Sequence, residues 1–171
     1  MKTLPAAARI YVWSVVAIGA ALLVNFFPVH FTGNKWQFLL LLALSSVTSV
    51  FKVNLPLARR SSTMSVSYAV DFASLLLLGP HETMLVAAVS AFSQCTFRIK
   101  ERNPIHRTLF SMACLVITVQ AAGAVYFWLG GSVPWTNSRD SIGRALVGAA
   151  TAYFLVNTVA IATAIALSTR Q

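Results

Sequence analysis

Residues 108–129, TLFSMACLVITVQAAGAVYFWL, form an uninterrupted apolar run without one charged side chain. Its length reaches the ~20 residues that a helix needs to cross the hydrocarbon core of a bilayer. The run is continuous rather than alternating in polarity, which separates it from the strands of a membrane β-barrel. Five further runs flank it, and together they predict an all-α polytopic membrane protein, a bundle of about six transmembrane helices forming one membrane domain over residues 1–171. The expected spans are 10–27, 36–53, 61–78, 80–97, 108–129 and 141–168.

The boundaries come from local chemistry. Gly33-Asn34 is a turn signal between the first two runs. Gly79-Pro80 stops the third and opens the fourth, because proline lacks an amide hydrogen and suits the first turn of a new helix. Gly130-Gly131 closes the fifth. Lys2 and Arg9 ahead of an apolar stretch mimic a secretory signal, but no small-residue cleavage site follows, so the first run is read as an uncleaved span.

Composition agrees. Of 171 residues 57% are hydrophobic and 10% charged, with a mean hydropathy of +0.74, whereas soluble domains carry about 25% charged residues. The short connections leave no room for a separate soluble catalytic unit. The net charge of +9 resides in the gaps between apolar runs. In a six-span arrangement ten of the 13 Lys and Arg residues fall on one side and three, Lys35, Arg139 and Arg144, on the other. That asymmetry is the positive-inside bias; it places both termini in the cytoplasm and accounts for the charge without nucleic-acid binding.

Asp71 is the acidic residue well inside a run, where a carboxylate costs about 2.5–3.5 kcal/mol on insertion scales. Ser67 precedes it by four residues and Ser74 follows by three, with Tyr68 adjoining, so Ser67, Tyr68, Asp71 and Ser74 form a polar stripe on one helical face. Two readings stand. Asp71 lines a polar cavity and contacts a ligand, a cation or a proton, or it pairs with an interior partner and fixes packing. A short span ending at Gly79-Pro80 favours the cavity, since interrupted spans border binding sites; a tilted helix starting at Ser61 removes that argument.

Gln94, Gln120 and Asn157 are further candidates for ligand contact, while Ser45, Ser46, Thr48 and Ser49 on the second run read as interhelical glue. Small residues at Ala17 and Ala21 and at Ala145 and Ala149 suit close helix approach, within the bundle or against a partner membrane protein. Trp36, Tyr126, Trp128 and Trp135 surround the two longer outer loops as an aromatic belt or as the rim of an apolar pocket. Cys95 and Cys114 read as buried free thiols. His30, His81 and His106 lack metal-ligand spacing, no metal site is expected, and no nucleophile, base and orienter can be assembled, so no enzyme activity is expected and no cofactor is implied.

The segment SVSYAVDFASLLLLGP at residues 65–80, with MLVAAVS at 84–90, RTLF at 107–110, AGAVY at 122–126 and YFLVN at 153–157, resembles the membrane-embedded sensor regions that precede bacterial HD-type phosphohydrolase and diguanylate cyclase domains. The Leu-Gly-Pro turn is similar, more distantly, to that of the substrate-binding S-components of energy-coupling-factor vitamin transporters. These resemblances imply a bacterial inner-membrane location, a small-molecule pocket near the outer face and a cytoplasmic partner. The sensor-type relatives continue past the segment matching residues 153–168 into further helices and an output domain, whereas this sequence stops at Gln171. The function expected first is therefore a small-molecule-binding or sensory module. An accessory structural subunit of a larger membrane complex, or the substrate-binding subunit of a vitamin-type transporter, are the alternatives.

Overall fold

A computed structural model describes residues 5–28, 34–50, 52–54, 63–65, 67–96, 104–133 and 142–169. Six helices dominate it: α1 (Ala6–Asn25), α2 (Lys35–Val50), α3 (Ser67–Leu78), α4 (Pro80–Thr96), α5 (Ile105–Trp128) and α6 (Ile142–Thr169). Between α2 and α3 lie two three-residue strands, β1 (Lys52–Asn54) and β2 (Thr63–Ser65). They pair antiparallel with Lys52 opposite Ser65 and Asn54 opposite Thr63.

The strand pair corrects two of the expected spans. The second helix ends at Val50 and not at residue 53, and the third begins at Ser67 and not at residue 61. The third run is therefore short, 12 residues, or about 18 Å at the helical rise, well below the ~30 Å hydrocarbon core. Among the described residues three helices, α1, α5 and α6, are long and apolar enough to cross a membrane. The expectation of about six membrane-spanning helices is met in the helix number and corrected in the spans: α2, α3 and α4 are apolar or mixed helices of 16, 12 and 17 residues.

The punctuation read from the sequence operates as chemistry requires. Gly79 takes φ +88°, a conformation that L side chains rarely adopt, and its amide bonds the Leu75 carbonyl at 3.1 Å to terminate α3. Pro80 then opens α4, where no amide is needed. Gly130, at φ 87°, ends α5 in the same way. The Gly131 amide donates to the Tyr126 carbonyl at 2.9 Å, and the Tyr126 hydroxyl donates to the Ser132 carbonyl at 3.0 Å.

Helix α4 is the most enclosed, packed among α2, α3 and α5, and α5 in turn carries α1 and α6 on its outer sides. The apolar core joins Leu75 of α3, Met84 and Ala87 of α4, Val116 and Val119 of α5 and Tyr153 of α6. Where helices approach most closely a side chain is missing: a Cβ on Gly19 of α1 would stand 2.6 Å from that of Ala113, and one on Gly123 would stand 2.6 Å from Pro80 Cβ. Ala145 and Ala149 are fully buried against α5, as their spacing predicts. Ala17 and Ala21 are not; both are exposed, and the inward face of α1 is instead Ala8, Val15 and Gly19. Both pairs satisfy the same four-residue spacing, and only the helix phase distinguishes them.

The outer surface of the bundle is apolar as well as its core, unlike that of a water-soluble one. On α2 the buried stripe is Leu41, Ser45 and Ser49, whereas Leu39, Leu40, Leu44 and Val47 are exposed. On α6 the inward face is Ala145, Ala149 and Tyr153, and Val147, Phe154, Leu155 and Val159 point out. In water this would leave large apolar area uncovered; in lipid it is the expected arrangement, with small residues bringing backbones together and hydroxyls satisfied between helices.

The two ends of the bundle also differ. At one, the end of α1, the α3–α4 turn and the end of α5 surround a cavity of about 550 Å³ in which the rings of Phe26 and His81 stack at 5.1 Å. At the other, the starts of α1 and α5 meet the end of α6, so α1 and α5 run parallel and α6 runs against them. Trp36 and Trp128, 77% and 84% exposed, both sit at the first end, as a belt requires. Trp135, Arg139 and His30, like the cationic residues Lys2, Arg59, Arg60, Arg98, Lys100, Arg102 and Arg170, lie outside the described residues.

Candidate functional site

The polar stripe on α3 folds inward as its spacing predicts: Ser67, Asp71 and Ser74 are all fully buried, and Tyr68 is half-buried beside them. The three buried positions do different things. Asp71 lies where α2, α3 and α4 meet, and its Oδ1 accepts a hydrogen bond from the Ser45 hydroxyl at 2.5 Å. Ser90 of α4 flanks the same carboxylate, yet Asp71 Oδ2 and Ser90 Oγ are both buried without a hydrogen-bond partner among the described residues. Ser67 accepts a hydrogen bond from the Gln94 side-chain amide at 2.8 Å, which ties α3 to α4. Ser74 turns its hydroxyl back onto the Val70 carbonyl of its own helix at 2.8 Å.

A cavity of about 170 Å³ opens beside this stripe, between α3, α4, α5 and α6. Tyr68, Gln94 and Asn157, with the Ser111 hydroxyl, supply polar groups to it, and Ala91, Phe110, Leu115 and Ile161 form apolar walls. The Asn157 amide donates to the Tyr68 hydroxyl at 3.4 Å, and the Cys114 thiol lies 3.7 Å from Asn157 Oδ1. These long contacts leave much of the amide's bonding capacity for a further partner. Behind them Tyr153 of α6 meets Tyr68 and Phe72 edge to face, with centroids at 6.0 and 6.2 Å. Its hydroxyl too is buried without a partner.

Three of the seven candidate residues, Tyr68, Gln94 and Asn157, are thus brought together around one space, and Ser67 supports them from behind. Asp71 does not line that cavity. Its carboxylate is turned toward α2 and α4, because Ser45 and Ser90 are the hydroxyls within reach of it. Gln120 also points elsewhere: its amide lies 3.4 Å from the Pro80 carbonyl and 3.2 Å from the Met84 sulfur, holding α5 to the first turn of α4. Ser74 serves its own backbone.

Two groups beside the cavities were not among the candidate site residues. Cys114 is in the cavity wall, four residues before Thr118, whose hydroxyl bonds the Cys114 carbonyl at 2.8 Å. Glu82 is a second acidic residue, 3% exposed in the first turn of α4 beside the larger cavity; it falls at the very start of the expected 80–97 span. Cys95 is half-buried and Cys114 buried, and both are free thiols. No group of three His, Cys, Asp or Glu residues suited to a metal ion occurs among the described residues.

No curated protein and no solved structure matches the chain. The sequence model of the MASE9 family, however, matches residues 21–171, from the last part of α1 through the whole of α6. With an apolar outer surface suited to lipid and polar groups gathered between its helices, the chain belongs to the MASE9 family of membrane-associated sensory domains.

Proposed function

We propose that the chain is a sensory module of the bacterial inner membrane that binds a small neutral molecule in the cavity between α3, α4, α5 and α6 and has no catalytic activity of its own. The observation that carries this reading is the convergence of Tyr68, Gln94 and Asn157 on one space inside a membrane-associated sensory fold. A phenol and two carboxamides supply both donors and acceptors, and no described lining residue is charged. A compact ligand with one or two hydrogen-bonding groups and an apolar body is therefore favoured.

In this reading all six helices cross or enter the bilayer, with α2, α3 and α4 shielded by their neighbours. Short helices at membrane depth are tolerated where they are buried in protein, and α4 is so enclosed. The parallel course of α1 and α5 against α6 supports an alternating topology, and the cationic excess near residues 98–107 supports cytoplasmic termini. Ligand entry would act on the α3–α6 contact through the Asn157–Tyr68 bond, giving the cytoplasmic end of α6 a means to report occupancy.

The test is mass spectrometry of small molecules released from protein purified in mild detergent or lipid nanodiscs, wild type beside Asn157→Leu and Gln94→Leu. A molecule retained stoichiometrically by the wild type and lost from both variants supports the site. Equal retention by all three proteins would move the ligand elsewhere, and its absence from every preparation, including those loaded with cell extract, would count against a ligand-binding role.

A further inference from the structure

A second cavity, of about 330 Å³, lies at the end of the bundle opposite Gly79 and Gly130, between the starts of α1 and α5 and the end of α6. Its composition is graded. Val12, Phe110, Ile161 and Ile165 form an apolar trough, and Ile161 and Ile165 are 39% and 56% exposed, so the trough opens to the surroundings of the bundle. At its mouth stand His106 and Arg107, in the first turn of α5. Arg9 occupies the first turn of α1, next to the lining residue Ala8.

Among the described residues no acidic side chain lines this groove. The Arg107 side chain is exposed and makes no hydrogen bond or ion pair among the described residues. The order along the helices matches as well: Val12 and Phe110 each lie three residues, about 4.5 Å, deeper along their helices than Arg9 and Arg107, so the apolar trough begins one turn below the cations.

We propose that this groove is a binding site for one anionic phospholipid, with its phosphate paired to Arg107 and hydrogen-bonded by His106 and one acyl chain lying along Val12, Phe110, Ile161 and Ile165. Charge complementarity chooses the occupant. A zwitterionic lipid fills the trough equally well but presents a compensated headgroup, and a soluble anion gains nothing from the apolar wall. Each Lys or Arg near a membrane surface contributes about 1 kcal/mol toward anionic lipid, which is about a fivefold preference. The groove shares Phe110 and Ile161 with the cavity around Asn157, but the cations at its mouth do not line that cavity, and the proposal depends on no ligand there.

Native mass spectrometry of the whole chain, released from detergent containing equal amounts of phosphatidylglycerol and phosphatidylcholine with identical acyl chains, tests the assignment. The wild type should retain phosphatidylglycerol about fivefold over phosphatidylcholine. Arg107→Gln should bring the ratio close to one, whereas Arg144→Gln, at the opposite end of the bundle, should leave it unchanged. Ala164→Phe, which fills the groove from α6, should reduce retention of both lipids together. Equal retention of the two lipids by the wild type, an intact preference in Arg107→Gln, or the same loss in Arg144→Gln would each overturn the proposal.

Discussion

Replacing Ser45 by alanine removes the hydrogen bond that Asp71 makes across the α2–α3 interface. The hydroxyl lies 2.5 Å from Asp71 Oδ1, and the other carboxylate oxygen has no hydrogen-bond partner among the described residues, so the variant leaves a fully buried carboxyl group with only the flanking Ser90 hydroxyl near it. Leaving a buried acceptor unsatisfied costs about 1–3 kcal/mol, while interhelical hydrogen bonds in bilayers average about 0.6 and reach about 1.7 kcal/mol. The enclosed position of Asp71 points to the overlap of these ranges, about 1–2 kcal/mol. For a chain of this size that corresponds to a fall in Tm of about 2–8 °C.

Thermal unfolding in mild detergent, followed by reaction of the buried Cys114 thiol with a fluorogenic maleimide, reads this directly. Ser46→Ala and Thr48→Ala are the controls, since those hydroxyls bond Leu42 and Leu44 carbonyls within α2 at 2.7 and 2.8 Å, and each should change Tm far less. A double-mutant cycle with Asp71→Ala should show a coupling near 1 kcal/mol, above the ~0.5 kcal/mol scatter of independent sites. If Ser45→Ala is no worse than Ser46→Ala, or if the cycle is additive, the pairing of α2 with α3 through Asp71 is refuted.

Other outcomes follow from the same packing. Gly19→Leu should destabilise the protein by about 1–3 kcal/mol through overpacking, because Ala113 already fills the space; Ala17→Leu, on the exposed face of α1, should be neutral in the same unfolding assay. Gly79→Ala should cost about 1–2 kcal/mol, since φ +88° strains any L side chain, with space itself no obstacle; circular dichroism melts of the two proteins would show it. Under native conditions a maleimide should modify half-buried Cys95 well before Cys114, and comparable rates would place Cys114 on the surface. Tyr153→Phe removes a buried hydroxyl that has no partner, so it should be neutral or slightly stabilising; a large loss of stability would mean that the hydroxyl is bonded after all.

Much of this fold is legible in the sequence because its boundaries are set by residues with one conformational use. Gly79-Pro80 and Gly130-Gly131 end helices wherever they occur in such runs, and the structure keeps both. The strand pair is not legible: residues 61–66 contain no charge, glycine or proline and so continue the third apolar run by composition, although β2 pairs with β1 there. Burial of Asp71 follows from its spacing with Ser67 and Ser74, but its partner does not. Ser45, Ser46, Thr48 and Ser49 are equivalent donors until α2 is rotated against α3, and that rotation is a property of tertiary packing. For the same reason Tyr68, Gln94 and Asn157 share a cavity while Gln120, an identical side chain type on an equally apolar helix, faces α4.

Cysteine labelling from the two sides of the membrane tests the central claim, that this bundle crosses the bilayer with its polar side chains gathered between helices and a lipid-facing apolar surface. In a variant lacking Cys95 and Cys114, a cysteine at the exposed position of Lys35 should react with a membrane-impermeant maleimide in spheroplasts, one at Ser168 should react only after permeabilisation, and one at Val147 should react in neither case. Labelling of all three from the same side, or rapid aqueous labelling at Val147, would contradict the account.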